Sequence, residues 1–168
     1  NEEVEFIIEH EKRNKLIAKM AGTLPGNTLV VFQRLEHGKD LLDKIETDKQ
    51  LYYVAGETDK DGREAVRQMA ESNDVVIVAS LGVFSTGVNI RNLHNLIFAH
   101  PTKSKIKVLQ SIGRILRKSD NGQIATVFDI IDDLKYKSRD NFALRHSNER
   151  FKYYTTEEFD YKINTIDL

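Results

Sequence analysis

The chain has 168 residues, 40% of them hydrophobic, with 25 Lys and Arg against 26 Asp and Glu and a formal charge of −1. That is material for one ordinary domain and too balanced a charge to announce a nucleic-acid binder by itself. It contains no cysteine, which excludes a disulfide framework and a thiolate zinc site, and its apolar runs fall well short of the roughly 20 residues that span a bilayer.

The chain begins at Asn1 in a helical pattern, with five glutamates between residues 2 and 11 and nothing that reads as a signal peptide. It reads as a fragment of a longer polypeptide, with residues 1–10 expected to be a linker or incoming segment from a missing N-terminal part. Leu16, Ile17 and Met20 predict a helix over 11–20, stopped by the turn Leu24-Pro25-Gly26-Asn27. Thr28 to Phe32 is a short apolar run rich in β-branched residues, hence a buried strand. Leu41, Leu42 and Ile45 restore helical spacing over 36–45. A strand over 51–55, a helix over 60–71, and strands over 75–79 and 95–99 follow. Leu109, Ile112, Ile115 and Leu116 predict a helix over 104–116, before a fifth strand over 124–128. A polar helix is expected over about 137–151, then an aromatic tail over 152–168 packed on the sheet, with a short strand near 161–166.

Strands alternating with helices imply parallel pairing through right-handed crossovers. The strands are continuous apolar runs, so both faces of the sheet should be buried. The fold class is therefore α/β, a parallel sheet flanked by helices on both faces. Ligands of such sheets sit at the carboxyl ends of the strands.

Three loops leave those ends: Gln33-Arg34-Leu35-Glu36-His37-Gly38, Gly56-Glu57-Thr58, and Ser80 through Ile90. The last is rich in Gly, Ser and Thr, whose amides and hydroxyls suit phosphate or sugar. Taken singly, each is also ordinary turn chemistry. Gln110-Ser111-Ile112-Gly113-Arg114-Ile115-Leu116-Arg117 adds two arginines three apart, which point the same way on a helix. Paired guanidinium forks suit a phosphate group. Six basic residues and no acid lie between Lys103 and Lys118, either a nucleic-acid track or a solvated face.

Together these stretches resemble the second motor domain of superfamily 2 helicases, a RecA-like domain. Thr28 to Phe32 with its loop resembles motif IV, Ser80 through Asn89 motif V, and Gln110 to Arg117 the Q-x-x-G-R-x-x-R form of motif VI. Order and spacing agree over about residues 11–131, and the wording of residues 83–95 is similar to the recombination helicases of T-even bacteriophages. The resemblance implies an ATP-dependent DNA helicase or translocase that processes branched DNA. Its ATP would lie in a cleft against an N-terminal RecA-like domain of the same polypeptide, which holds most of the Mg2+ contacts. It implies Arg117 as an arginine finger and Arg114 as a second γ-phosphate contact, with Gly87, Asn89, Gln110 and Gly113 beside the nucleotide. Asn89 stands where an aspartate is commoner, so its hydrogen-bond partner is open. Gln33, Arg34, Gly56, Thr58, Ser80 and Thr86 would touch the DNA backbone, fixing register without reading sequence. A phage origin would put the protein in the host cytoplasm.

No G-x-x-x-x-G-K-[ST] occurs, since His37-Gly38-Lys39-Asp40 lacks both the earlier glycine and the hydroxyl, and no Asp-Glu pair ends an apolar strand. The isolated chain is therefore expected not to hydrolyse ATP. Asp129, Asp132 and Asp133 imitate a magnesium site but are expected to cap the next helix or stay solvated. His94 and His100 flank a strand too far apart to clamp one metal. The alternatives are a non-enzymatic α/β regulatory or binding module, for which the acids sit after the wrong strand, and a metal-dependent nuclease, which lacks converging acids.

Overall fold

A computed structural model describes residues 2–56, 60–84, 90–101 and 125–168; the helix expected over 104–116 lies outside the described residues. In chain order the elements are α1 (Glu2–Glu9), α2 (Glu11–Thr23), β1 (Thr28–Phe32), α3 (Leu35–Lys44), β2 (Gln50–Val54), α4 (Lys60–Glu71), β3 (Val75–Ser80), α5 (Leu81–Phe84), β4 (Asn95–Phe98), β5 (Thr126–Asp129) and α6 (Phe142–Thr156). The strands form one sheet in the order β2-β3-β1-β4-β5. Every pairing is parallel. This is a RecA-like α/β sheet.

The burial of each strand follows its place in that order. All five residues of β1 and all four of β4 are buried, as are the first five of β3. The outer strands β2 and β5 are mostly half-exposed. Successive side chains point to opposite faces, so the sheet divides its core in two. On one face Val30, Phe32, Val76, Val78 and Ile97 meet Ile17, Ala18 and Ala21 of α2 and Leu41 of α3. On the other, Leu29, Val31, Ile77, Leu96 and Phe98 meet Ala65 and Met69 of α4. The chain steps outward from β1 to β2 and back to β3, and right-handed crossovers in opposite directions place α3 and α4 on opposite faces.

Gly38 sets how closely α3 lies on the sheet. A Cβ there would come within 2.6 Å of the Phe32 ring. The glycine that imitates half of a phosphate-loop motif is thus a packing residue.

The amino-terminal edge of the sheet is held by one buried amide. Asn27 Nδ2 lies within hydrogen-bond distance of the carbonyls of Met69 (2.9 Å), Ser72 (2.5 Å) and Asn92 (2.9 Å), while its Oδ1 accepts from Val75 N–H at 3.0 Å. Its backbone N–H donates to His94 Nδ1 at 2.9 Å. Gly26 turns into this position with φ +83°, where a Cβ would strike the His94 ring. Asn92, at φ 62°, donates from its own amide to Met69 and Ser72. The end of α4 and the starts of β1, β3 and β4 are therefore fastened together.

The two ends of the chain meet. Ile7 and Ile8 of α1 are buried, and Glu3 accepts from the amides of Phe142 (2.9 Å) and Ala143 (2.7 Å) in the first turn of α6. That helix starts later than the spacing predicted, because Tyr136 and Arg139 close a bridged turn with Lys137 at φ 55°. The strand expected near 161–166 is absent, since residues 157–168 carry no regular structure. The tail returns over α6 by ring contacts instead: Tyr161 stacks on Phe151 with centroids 5.7 Å apart, and Phe159 meets Tyr153 and Tyr154.

Replacing Asn27 by Ala leaves several buried backbone groups without partners. Urea denaturation is expected to show a loss of about 3 kcal/mol or more. A loss below about 1 kcal/mol would contradict the central place given to this amide.

Candidate nucleotide and nucleic-acid edge

The carboxyl ends of β2, β3 and β1 lie side by side, Val54 opposite Ala79 and Phe32 opposite Ser80. Gln33 and Arg34 leave β1 exposed. Arg34 occupies the position before α3, in extended conformation and with no side-chain hydrogen bond closing the helix start. Gly56 leaves β2 with φ 98°, a left-handed conformation suited to glycine, and a Cβ there would meet nothing within 4 Å. Ser80 ends β3, half-buried, directly before the single turn of α5. The structure thus brings Gln33, Arg34, Gly56 and Ser80 to one edge. Thr58, Thr86, Gly87, Asn89, Gln110, Gly113, Arg114 and Arg117 lie outside the described residues.

A buried polar cluster beside this edge escaped the sequence reading. Arg13 Nε and Nη2 donate to Asp132 at 2.5 and 3.0 Å, and Nη2 also reaches the Ala99 carbonyl at 2.7 Å. Asn14 Nδ2 donates to the Ile8 carbonyl (2.7 Å) and to Asp40 (2.8 Å). That leaves Asn14 Oδ1 as an acceptor for His37 Nε2 at 3.1 Å, so the imidazole carries its proton on Nε2. Burial pushes the His37 pKa down to about 3, helped by the Arg13 guanidinium and by His100, whose ring lies 6.4 Å away. A signal existed. Arg13 and Asn14 stand in the same helical rows as Ile17, Ala18 and Ala21, so a polar pair occupies core register.

Two of the three acids at the end of β5 correct an expectation, while Asp133 is exposed as expected. Asp129 and Asp132 neither cap the next helix nor stay solvated; each side chain is only 10% exposed and is gripped by a buried arginine. Arg150 of α6 holds Asp129 at 2.6 and 3.1 Å, and the Tyr154 hydroxyl donates to it at 2.7 Å. Burial and the Asp129 carboxylate together push the Tyr154 phenol up. Capping of α6 falls to Glu3; burial opposes its charge, but the Ala143, Asn141 and Phe142 donors hold its carboxyl below the ordinary value. Among the described residues no group of three His, Cys, Asp or Glu is placed to hold a metal ion. His94 serves the turn at Asn27, and His100 is buried beside the polar cluster. Among the described residues no helix is long and apolar enough to cross a membrane.

Residues 11–119 match the model of the helicase conserved C-terminal domain. The chain is 41% identical to the ATP-dependent DNA helicase uvsW of Enterobacteria phage T4, over 99% of this chain and 36% of that protein. The crystal structure of T4 UvsW superposes with a TM-score of 0.86 at 43% identity, covering 98% of this chain and 36% of that one. The E. coli DEAD-box protein SrmB shares the fold at a TM-score of 0.53 and 19% identity, over 71% of this chain and 69% of that one. The chain spans about a third of the length of its T4 relative.

His37 makes stability depend on pH. The folded chain keeps it neutral down to about pH 3, whereas the unfolded chain protonates it near its ordinary value of 6.5. Its contribution is therefore complete above pH 6.5 and is lost as pH falls toward 3. The slope approaches about 1.4 kcal/mol per pH unit. Between pH 6.5 and about 5.5, above the ordinary carboxylate range, urea denaturation should show the chain losing stability more steeply than its His37→Gln variant. Equal slopes would refute the assignment.

Proposed function

Because the chain belongs to the helicase conserved C-terminal domain family, we propose that it is the second RecA-like motor domain of an ATP-dependent DNA helicase or translocase that remodels branched DNA during recombination and fork repair. The observation that carries this reading is the 41% identity to a phage DNA helicase along 99% of the chain. Support comes from the loops collected at one sheet edge and from the Q-x-x-G-R-x-x-R stretch of residues 110–117. A phage-encoded enzyme of this kind works in the host cytoplasm.

The domain works against a first RecA-like domain of the same polypeptide, which contributes the phosphate loop and most of the Mg2+ contacts. The division of labour fits the acids seen here, since Asp129 and Asp132 are already engaged by arginines. ATP bound in the cleft supplies the phosphoryl group whose transfer drives movement. Arg117 is the arginine finger and Arg114 a second contact to the γ-phosphate, neutralising charge that builds up during transfer. Gln110, Gly113, Gly87 and Asn89 hold the nucleotide side of the cleft. Gln33, Arg34, Gly56, Thr58, Ser80 and Thr86 grip the DNA backbone. Closing and opening of the cleft displaces this grip relative to that of the first domain, stepping the strand.

Two measurements on the full-length polypeptide test the reading. Arg117→Ala is expected to lower DNA-stimulated ATP turnover by roughly two or more orders of magnitude while ATP still binds. Unchanged turnover would mean that the arginine pair has been misread. Arg34→Ala is expected to weaken DNA binding without regard to sequence and to reduce the slope of log affinity against log salt by about 0.7 to 0.9. An unaltered salt slope would remove Arg34 from the track.

A further inference from the structure

Between β5 and α6 the chain makes a loop that takes no part in the grip on DNA proposed above. Both of its ends are fixed at the carboxyl edge of the sheet. At one end Arg13 holds Asp132 and also the Ala99 carbonyl just beyond β4. At the other, Asn141 Nδ2 donates to the Asp132 carbonyl at 3.0 Å, and Asn141 Oδ1 accepts from the Leu134 N–H at 2.9 Å. The loop is thus closed at its base, and residues 133–139 stand exposed beyond it. In the sheet order β5 lies two strands from β1. At roughly 4.8 Å per strand, its exit is about 10 Å from the place where Gln33 and Arg34 leave β1.

The tip of the loop is Tyr136-Lys137-Ser138-Arg139. The Tyr136 N–H donates to the Arg139 carbonyl at 3.2 Å and the Arg139 N–H to the Tyr136 carbonyl at 3.0 Å. The Tyr136 ring is 72% exposed. One exposed ring means little by itself, but its neighbours are cations. Lys137 Nζ lies 5.4 Å from the ring centroid, and Arg139 stands exposed across the turn. Lys137 holds φ 55°, where glycine or asparagine would close the turn with less strain. What the lysine adds is a charge. The acids of the loop are turned to Lys135: Asp133 Oδ1 accepts its N–H at 3.0 Å, and Asp140 lies 3.4 Å from its Nζ. Among the described residues Lys137 and Arg139 form no ion pair.

We infer that this turn is a further DNA contact, one that takes a single strand: an unpaired base stacks on the Tyr136 ring while Lys137 and Arg139 hold the adjoining phosphates. The pairing of ring and cations carries the choice. A duplex offers the turn phosphates only, and an acidic protein surface would use the cations and leave the ring idle; an unpaired strand uses both. The inference rests on the reading of this sheet edge as a DNA track.

The test uses the full-length polypeptide with fluorescent oligothymidylate and a blunt duplex of equal length, read by anisotropy. Tyr136→Ala is expected to weaken single-strand binding about fivefold or more while changing duplex affinity less than about twofold. Lys137→Gly preserves the turn, since glycine suits its backbone conformation, and Arg139→Gln removes the second cation. Each should lower the single-strand slope of log affinity against log salt by about 0.7. Irradiating a strand that carries iodouracil should cross-link it to Tyr136. Unchanged single-strand affinity in all three variants, with the cross-link mapped elsewhere, would overturn the inference and leave the motor reading to its own test by DNA-stimulated ATP turnover. Losses from Lys137→Gly and Arg139→Gln that are equal on strand and duplex, with none from Tyr136→Ala, would reduce the turn to a phosphate contact and overturn the stacking. Retention of polyglutamate by the parent protein and not by Lys137→Gly, with DNA binding unaltered, would assign the turn to an acidic protein surface instead. If the parent polypeptide binds no DNA, the motor reading fails and the inference falls with it.

Discussion

All the strands of this sheet run the same way, and that constraint organises everything else. Parallel strands cannot be joined by tight turns, so each connection must cross the sheet and cover a face. The result is a molecule with two unlike ends. At the amino-terminal edge the chain enters its strands, and the backbone groups there must find partners inside the protein. Asn27 meets that need with both ends of one amide, touching the last turn of α4, the start of β3 and the loop before β4. At the carboxyl edge the chain leaves β1 through the exposed Gln33 and Arg34, β2 through the open Gly56, and β3 through the half-buried Ser80 into α5. One edge is closed and the other is open.

The ion pairs differ in weight accordingly. Arg67 is ringed by Glu64 and Glu71 on α4, but all three are more than 45% exposed, and pairs in water contribute little. Arg13–Asp132 and Arg150–Asp129 are each gripped side-on in sites at most 10% exposed, where removing one partner strands the other charge. They hold α2 and α6 to the same strand end. Glu3 adds a third tie, from α1 to the start of α6. The helices α1, α2 and α6 are thus joined to the sheet and to each other by charge-assisted contacts.

The elements that were legible in the sequence are those set by local rules. Apolar runs marked β1 and β3 because central parallel strands are buried on both faces, and α2 followed from helical spacing bounded by a turn. The delayed start of α6 was hidden by a left-handed Lys137, a conformation that local composition does not announce. The tail strand failed for a related reason. Alternation at Phe159, Tyr161 and Ile163 suits a strand, but a strand also needs a backbone partner, and the rings were drawn to Phe151 and Tyr154 instead. At the candidate edge, Gln33, Arg34, Gly56 and Ser80 were legible because a parallel sheet dictates where its loops emerge. Arg13, Asn14 and His37 were not, because their partners lie far along the chain: Arg13 meets Asp132 across 119 positions.

Asp132 shows why an acid after a strand is a weak sign of a metal site. From composition alone, three aspartates in five residues behind an apolar strand look like a place for a divalent cation. Whether they serve one depends on what has already neutralised them. Here a guanidinium from another helix arrives first at Asp132, and a second one at Asp129. Both carboxylates become anchors for the protein's own cations, which fixes the strand end in place. An aspartate matched in this way by a buried guanidinium serves the framework of the fold.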